Sequence, residues 1–251
     1  MIASWATFLI DPSCGWPYVL PLLTAHLLAD FPLQPKSWVD HRRKHGWASG
    51  YLYLHAGICG VMAYVAASAA FATLRIWWLL PLISVTHVLF DGFKARTDDR
   101  CWHFVLDQIA HLAIVLLAAF LLMQELPRAT PLGYSLWLCA TAFLLTWWGE
   151  GNLIEKATAR WRDQFEDAGP RGLAQGGLWI GRLERSLIVL FVLTEHYEAT
   201  GFLIAAKSVL RFGEVSRPGH RGEAEYVLVG TLASFLLAIL TGLGARYLLG
   251  W

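Results

Sequence analysis

Long apolar stretches dominate the chain, and charged residues fall mainly between them. A helix needs about 20 mostly apolar residues to cross a bilayer core of about 30 Å. Seven segments come near that requirement, and they are residues 16–33, 51–74, 76–93, 102–123, 131–148, 178–212 and 226–249. The pattern therefore predicts an all-α, polytopic transmembrane bundle of about six to seven membrane segments.

Composition and charge agree with a multi-pass membrane protein. Hydrophobic residues make up 56% of the 251 residues and charged residues 16%, whereas about 25% of the residues in an average soluble domain are charged. The net charge of +1 gives no sign of the basic surface that nucleic-acid binding requires. We expect membrane lipids as partners and no nucleic acid, and the oligomeric state stays open.

Basic residues concentrate in alternate loops of the predicted bundle. The stretches 34–50, 94–101 and 150–177 carry most of the Lys and Arg residues that separate the first six segments. The positive-inside rule places such loops in the cytoplasm, so the N-terminus lies outside. The sequence thus predicts a cytoplasmic excursion over 150–177, part of which lies on the membrane surface.

The sixth segment, residues 178–212, is long and interrupted by charged residues. A single crossing would place the basic stretch 213–224 outside, against the charge rule. A broken or re-entrant hairpin that turns near Glu198–Gly201 would return this stretch to the cytoplasm, and such half-helices are permitted where protein covers them. We favour the hairpin, with a single crossing as the alternative.

Three pairs of His and Asp residues lie four positions apart within the apolar segments, and another His lies near the start of the second segment. They are His26 with Asp30, His87 with Asp91, Asp107 with His111, and the single His55. Residues at i and i+4 share one helix face, so both side chains of a pair can reach one ion. Imidazole nitrogen together with carboxylate oxygen suits zinc, manganese or iron.

The predicted topology brings all seven groups to a similar depth, near the cytoplasmic leaflet. Because ionisable groups are costly in a membrane and tend to be functional, we predict a divalent transition-metal site, with zinc as the favoured ion. Seven ligands exceed what one tetrahedral ion needs, so the site holds either two ions or one ion with catalytic and supporting partners. Residues 1–125 would form this four-span metal-site core, and residues 126–251 a C-terminal membrane region.

Two further charged residues, Glu184 and Arg185, lie inside an apolar helix of the sixth segment. They form either an internal salt bridge or a catalytic pair, in which Arg185 binds a phosphate or carboxylate and Glu184 transfers protons. Asp107 is the other candidate for the general base. The four cysteines are widely spaced without a CxxC motif, and we interpret them as small apolar packing residues.

Six strings carry a resemblance to a known group, and they are LTAHLLADFPLQ, LFDGFKAR, LDQIAHLAIV, IGRLERSLIVLFVL, GFLIAAKSVLRF and AEYVLVGTLASFLLA. They resemble an uncharacterised family of bacterial integral membrane proteins, defined by a domain of unknown function, over nearly the whole chain. The first three strings are similar to its shorter members and the last three to its longer ones. The resemblance implies a multi-pass protein of the bacterial inner (cytoplasmic) membrane and no particular activity.

The His/Asp pairs are also similar, in style of motif, to membrane-bound metal-dependent hydrolases. This similarity and the predicted site favour a metal-dependent hydrolase that acts near the cytoplasmic leaflet on a lipid or lipid-linked substrate. A transporter or channel for metal ions or protons is the first alternative, because intramembrane His and Asp residues also form relays. A membrane sensor or scaffold with a structural metal is the second.

Overall fold

The structure is a computed structural model that describes Trp5, Phe8 and residues 13–97, 100–126, 132–162, 176–215 and 221–250. Every regular element among these residues is helical, which confirms the predicted all-α class. The chain divides into two compact units, Met1–Leu144 and Leu145–Trp251. The predicted boundary between the metal-site core and the C-terminal membrane region lies after residue 125. The helix at residues 134–144 packs on the first helix of the N-terminal unit and therefore belongs to that unit.

The N-terminal unit contains six α-helices in its described part. They are α1 (Trp16–Asp30), α2 (Lys36–His45), α3 (Gly50–Phe71), α4 (Leu79–Lys94), α5 (Cys101–Glu125) and α6 (Tyr134–Leu144), with a 3₁₀ turn at Gly46–Ala48. Helix α1 is the central element, since it packs against α3, α5 and α6. Alanines fill many of its contacts with these neighbours, and such small residues let membrane helices approach closely.

Helix α5 shows how one helix carries both lipid-facing and site residues. Its buried face contains Asp107, His111, Val115, Ala118 and Leu122. Its exposed face contains Leu106, Ile109, Leu117 and Leu121. A continuous exposed apolar face of this kind suits lipid rather than water. The polar residues of the buried face lie in its N-terminal half, and apolar packing residues occupy the remainder.

The C-terminal unit contains four α-helices among its described residues. They are α7 (Glu150–Arg162), α8 (Gly176–Leu193), α9 (Tyr197–Val215) and α10 (Arg221–Leu249), preceded by a π-helical segment at Leu145–Gly149. The core between α8 and α10 is apolar, with Ile188, Val192 and Phe235 among its buried residues. Helix α7 covers the first part of the predicted cytoplasmic excursion, and Glu150 at its start is buried. The rest of that excursion, residues 163–175, lies outside the described residues.

The predicted broken segment consists of two helices, α8 and α9, that pack against each other. The turn lies at Thr194–His196, a few residues before the predicted position. Glu195 adopts a left-handed φ of 63°, and the His196 amide donates to the Phe191 carbonyl at 2.8 Å. These two features end α8 in the manner of a C-terminal cap. Lys207 on α9 pairs with Glu184 on α8. Because each residue lies a similar distance along the chain from the turn, the two helices run antiparallel.

Three helices in the described part are long and apolar enough to cross a membrane, and they are Gly50–Phe71, Cys101–Glu125 and Glu225–Leu249. This result supports a membrane protein. Helix α1 has 15 residues, and its length of about 22 Å falls short of a bilayer core. The larger number of spans stays a prediction.

Candidate metal centre

The four helices α1, α3, α4 and α5 bring four His side chains of the N-terminal unit together. The ring centroids of His87 and His111 lie 4.3 Å apart, those of His26 and His111 5.5 Å, and those of His55 and His87 6.2 Å. All four rings are buried. The helical i, i+4 spacing that marks these residues in the sequence therefore corresponds to one cluster in space.

Asp30 lies at the middle of this cluster. Its Oδ1 atom is 3.5 Å from His55 Nε2 and 3.7 Å from both His26 Nδ1 and His87 Nε2. In a tetrahedral zinc site with bonds of about 2.0–2.2 Å, neighbouring ligand atoms are about 3.3–3.6 Å apart. The measured separations are close to that range, so small side-chain shifts suffice to place one ion among these atoms.

Two of the imidazoles are oriented for metal binding by their own helices. His87 Nδ1 lies 2.9 Å from the Ile83 carbonyl, and His111 Nδ1 lies 2.8 Å from the Asp107 carbonyl. A carbonyl only accepts, so each Nδ1 carries a proton, and in the neutral imidazole the lone pair is then on Nε2. Both Nε2 atoms are buried and have no hydrogen-bond partner within the described structure. An unpaired buried polar atom costs about 1–3 kcal/mol, and a metal ion would remove that cost.

The other two carboxylates of the cluster are paired with cations. Arg42 Nη1 donates to Asp91 Oδ2 at 2.6 Å, and Lys94 pairs with Asp107 Oδ2. Asp107 Oδ1 is buried without a hydrogen-bond partner in the part of the chain that the structure describes. Asp30 differs from the other two carboxylates. Its described ion-pair partners are all His side chains, with no Lys or Arg among them.

Sequence reasoning missed Arg42. It assigns this residue to a solvated cytoplasmic loop, whereas the structure places it in helix α2 with only 5% of its surface exposed. The neighbours Arg43 and Lys44 are exposed, and no pattern in the sequence distinguishes Arg42 from them. Trp47 lies over the backbone of Gly92, so the stretch from α2 through the 3₁₀ turn packs against the end of α4.

Sequence reasoning also interpreted Cys59 as a packing residue. The structure places its Sγ atom 3.7 Å from Asp30 Oδ1 and 3.5 Å from His55 Nε2. The signal was available, because Cys59 follows His55 by four positions and therefore shares its helix face. Three groups of side chains have donor atoms close enough to hold an ion, and they are His26–Asp30–His87, Asp30–His55–Cys59 and Asp91–Asp107–His111.

Glu184 and Arg185 belong to the C-terminal unit and have partners within it. Glu184 pairs with Lys207, and Arg185 Nε donates to the Thr146 carbonyl at 2.7 Å. The guanidinium also lies 3.7 Å from Glu150 Oε2. Thr146 belongs to the π-helical segment, a distortion that is frequent at functional sites. Glu150 is buried, whereas the sequence predicts it in a cytoplasmic excursion, part of which lies on the membrane surface.

These observations define an all-helical membrane protein with a buried His, Asp and Cys cluster inside a helical bundle. Residues 18–135, slightly less than half of the chain, match the family described as "Protein of unknown function (DUF3307)". This part of the chain carries that family's domain, which confirms the resemblance to an uncharacterised family there. The matched range contains every residue of the cluster. Searches of curated proteins and of solved structures found no match.

Proposed function

We propose that the protein is a metal-dependent hydrolase of the bacterial inner membrane, with its metal centre in the N-terminal unit. The observation that carries the proposal is the pair of buried Nε2 atoms on His87 and His111, which have no hydrogen-bond partner among the described residues while backbone carbonyls hold their rings. Four His and three Asp residues around them are the donor set that zinc and related ions prefer. One or two divalent ions account for this set.

Two of the three groups of donor atoms contain most of the predicted ligands. Asp30, His26 and His87 form one group, and Asp91, Asp107 and His111 form the other. His55 lies between them, since its Nε2 atom is 3.5 Å from Asp30 Oδ1 and 3.6 Å from Asp91 Oδ2. A divalent ion held by these residues would supply Lewis-acid chemistry toward a phosphoryl or acyl oxygen and a water molecule near neutral pH.

Asp107 and Lys94 add a carboxylate and a cation to the proposed metal centre. The Asp107 carboxylate is buried with one unpaired oxygen, which suits a general base or a ligand. Lys94 pairs with its other oxygen, and its side chain remains 28% exposed. A cation that reaches from solvent to the cluster can hold the anionic group of a substrate. We propose a lipid phosphate, a polyprenyl carrier or another amphiphile that reaches the site from the cytoplasmic leaflet.

The topology proposed for this chemistry has about six to seven membrane segments. The paired Glu184 and Lys207 support a hairpin for α8 and α9, and such a hairpin keeps the basic stretch 213–224 cytoplasmic. Glu184 and Arg185 stay candidates for catalysis. Substitution of each residue in metal-loaded protein, with turnover as the measurement, tests that role.

Metal analysis of the full-length protein purified in detergent tests the centre. We expect about one or two zinc ions per chain in the wild type and a strong loss of zinc in the His87→Ala variant. His45→Ala is the matched control, because His45 is exposed and bonds to the His41 carbonyl of its own helix. Equal zinc content in both variants, or no zinc in any of them, would refute the metal centre.

Turnover of total bacterial lipid extract by zinc-loaded protein tests the hydrolase. We expect a released product that requires metal and disappears in His111→Ala. Zinc or proton flux in proteoliposomes without any lipid product would instead support the transport alternative and end the hydrolase proposal.

A further inference from the structure

We propose that Cys59 is a metal ligand, and that Asp30, His55 and Cys59 form a thiolate-containing position for a thiophilic ion such as zinc. The proposal rests on the proposed metal centre and adds to it a ligand and a choice of metal. A thiolate ligand would make the centre discriminate against magnesium and calcium, which prefer oxygen ligands.

The geometry gives three donor atoms of the right kind in one place. Cys59 Sγ lies 3.7 Å from Asp30 Oδ1 and 3.5 Å from His55 Nε2, and one donor atom from each residue lies within 4.8 Å of the others. Cys59 and His55 occupy successive turns of α3, and Asp30 ends α1. The thiol is only 2% exposed, so solvent does not compete for this position.

The charge of Asp30 provides an independent observation. This carboxylate is 10% exposed, and its described ion-pair partners are His26, His55 and His87. Asp91 and Asp107 each have a Lys or Arg partner. A buried carboxylate is strongly disfavoured unless a cation compensates it. A metal ion beside Asp30 would supply that compensation.

A shared oxygen links this position to the rest of the centre. Asp30 Oδ1 lies within 3.7 Å of one donor atom from each of four side chains, which are His26, His55, Cys59 and His87. His26 Nδ1 and His87 Nε2 are buried and lack a hydrogen-bond partner in the described structure. Five donors exceed the four that one tetrahedral ion takes. With both positions filled, Asp30 would be a ligand shared by the position beside Cys59 and the position beside His26 and His87.

A purely structural thiol is the competing interpretation. Free cysteines are commonly buried as small apolar residues, and Cys59 does touch the apolar core of the unit. In that case the sulfur would take no part in metal binding. The two interpretations differ in whether a metal–sulfur bond exists, which spectroscopy measures directly.

Cobalt is the probe for the first experiment, because Co²⁺ occupies zinc sites and a thiolate ligand gives it a near-ultraviolet charge-transfer band. We expect the band in full-length protein titrated with Co²⁺ in detergent and its loss in Cys59→Ser. Cys139→Ser is the matched control, since Cys139 is exposed, and it should keep the band. Zinc affinity of Cys59→Ser should fall at least about tenfold, because even outer partners of metal ligands contribute that much.

X-ray absorption of the zinc-loaded wild type decides the question without any variant. We expect one sulfur neighbour at about 2.3 Å from zinc. Bound zinc with only nitrogen and oxygen neighbours, or bound Co²⁺ without the charge-transfer band, overturns the role of Cys59 and leaves the metal centre intact. A wild type that binds neither ion overturns both proposals.

Discussion

Removing one partner of the ion pair between Arg42 and Asp91 should strongly destabilise the N-terminal unit. Both side chains are about 5% exposed, and their atoms lie 2.6 Å apart. Replacing Arg42 with Met removes the cation and leaves the Asp91 carboxylate buried without its charged partner. Removal of one partner from a buried pair costs about 3–5 kcal/mol. Arg43→Met is the matched control, because Arg43 is exposed on the same helix, and surface substitutions cost within about 0.5 kcal/mol.

Thermal unfolding in detergent, followed by the fluorescence of the 13 Trp residues, measures the difference. A cost of about 3–5 kcal/mol corresponds to a fall in Tm of about 6–20 °C for a chain of this size. The double variant Arg42→Met/Asp91→Leu should recover most of the loss, because apolar side chains replace a buried ion pair without a large penalty. If Arg42→Met and Arg43→Met shift the Tm equally, Arg42 is not the buried partner of Asp91.

Three shorter predictions test other parts of the molecule. Gly92→Ala should lower the Tm, because its Cβ would lie 2.4 Å from the Trp47 ring, whereas Gly57→Ala meets no atom within 4 Å and should gain up to about 1 kcal/mol in a helix. Lys94→Met should keep zinc binding yet raise KM more than it lowers kcat for an anionic substrate, as measured by steady-state turnover of the lipid product. A cysteine placed at residue 216, which lies outside the described residues, should resist a membrane-impermeant thiol reagent added from outside; labelling there would contradict the hairpin of α8 and α9.

The sequence is sufficient to predict helices α1, α3, α4 and α5 of the first unit and the polar residues that these helices bring together. The period of an α-helix places residues four apart on one face, so His26 with Asp30 and Asp107 with His111 were visible as polar pairs within apolar segments. Each predicted segment of the first four contains an observed helix whose ends differ by a few residues. Local periodicity alone carries this information.

Residues outside apolar segments could not be found in the same way. Arg42 lies in a polar helix among other cations, and only the packing of α2 against its neighbours turns this residue inward. Glu150 follows a π-helical segment, and such a local change in helical winding rotates the faces of the residues after it, so a regular 3.6-residue period does not predict its burial.

Charge balance explains why the missed residues and the predicted ones form one system. The predicted set contributes three carboxylates to a buried region, and the low polarity there makes each unpaired charge expensive. Two of the carboxylates are compensated by Arg42 and Lys94, neither of which belongs to the predicted set. The third, Asp30, has His26, His55 and His87 as its described ion-pair partners, and Cys59 Sγ also lies near its Oδ1 atom. The requirement for compensating cations follows from the sequence, but only the three-dimensional arrangement shows that Lys and Arg side chains meet it at two of the three carboxylates. The third, Asp30, is the position where we propose a metal ion.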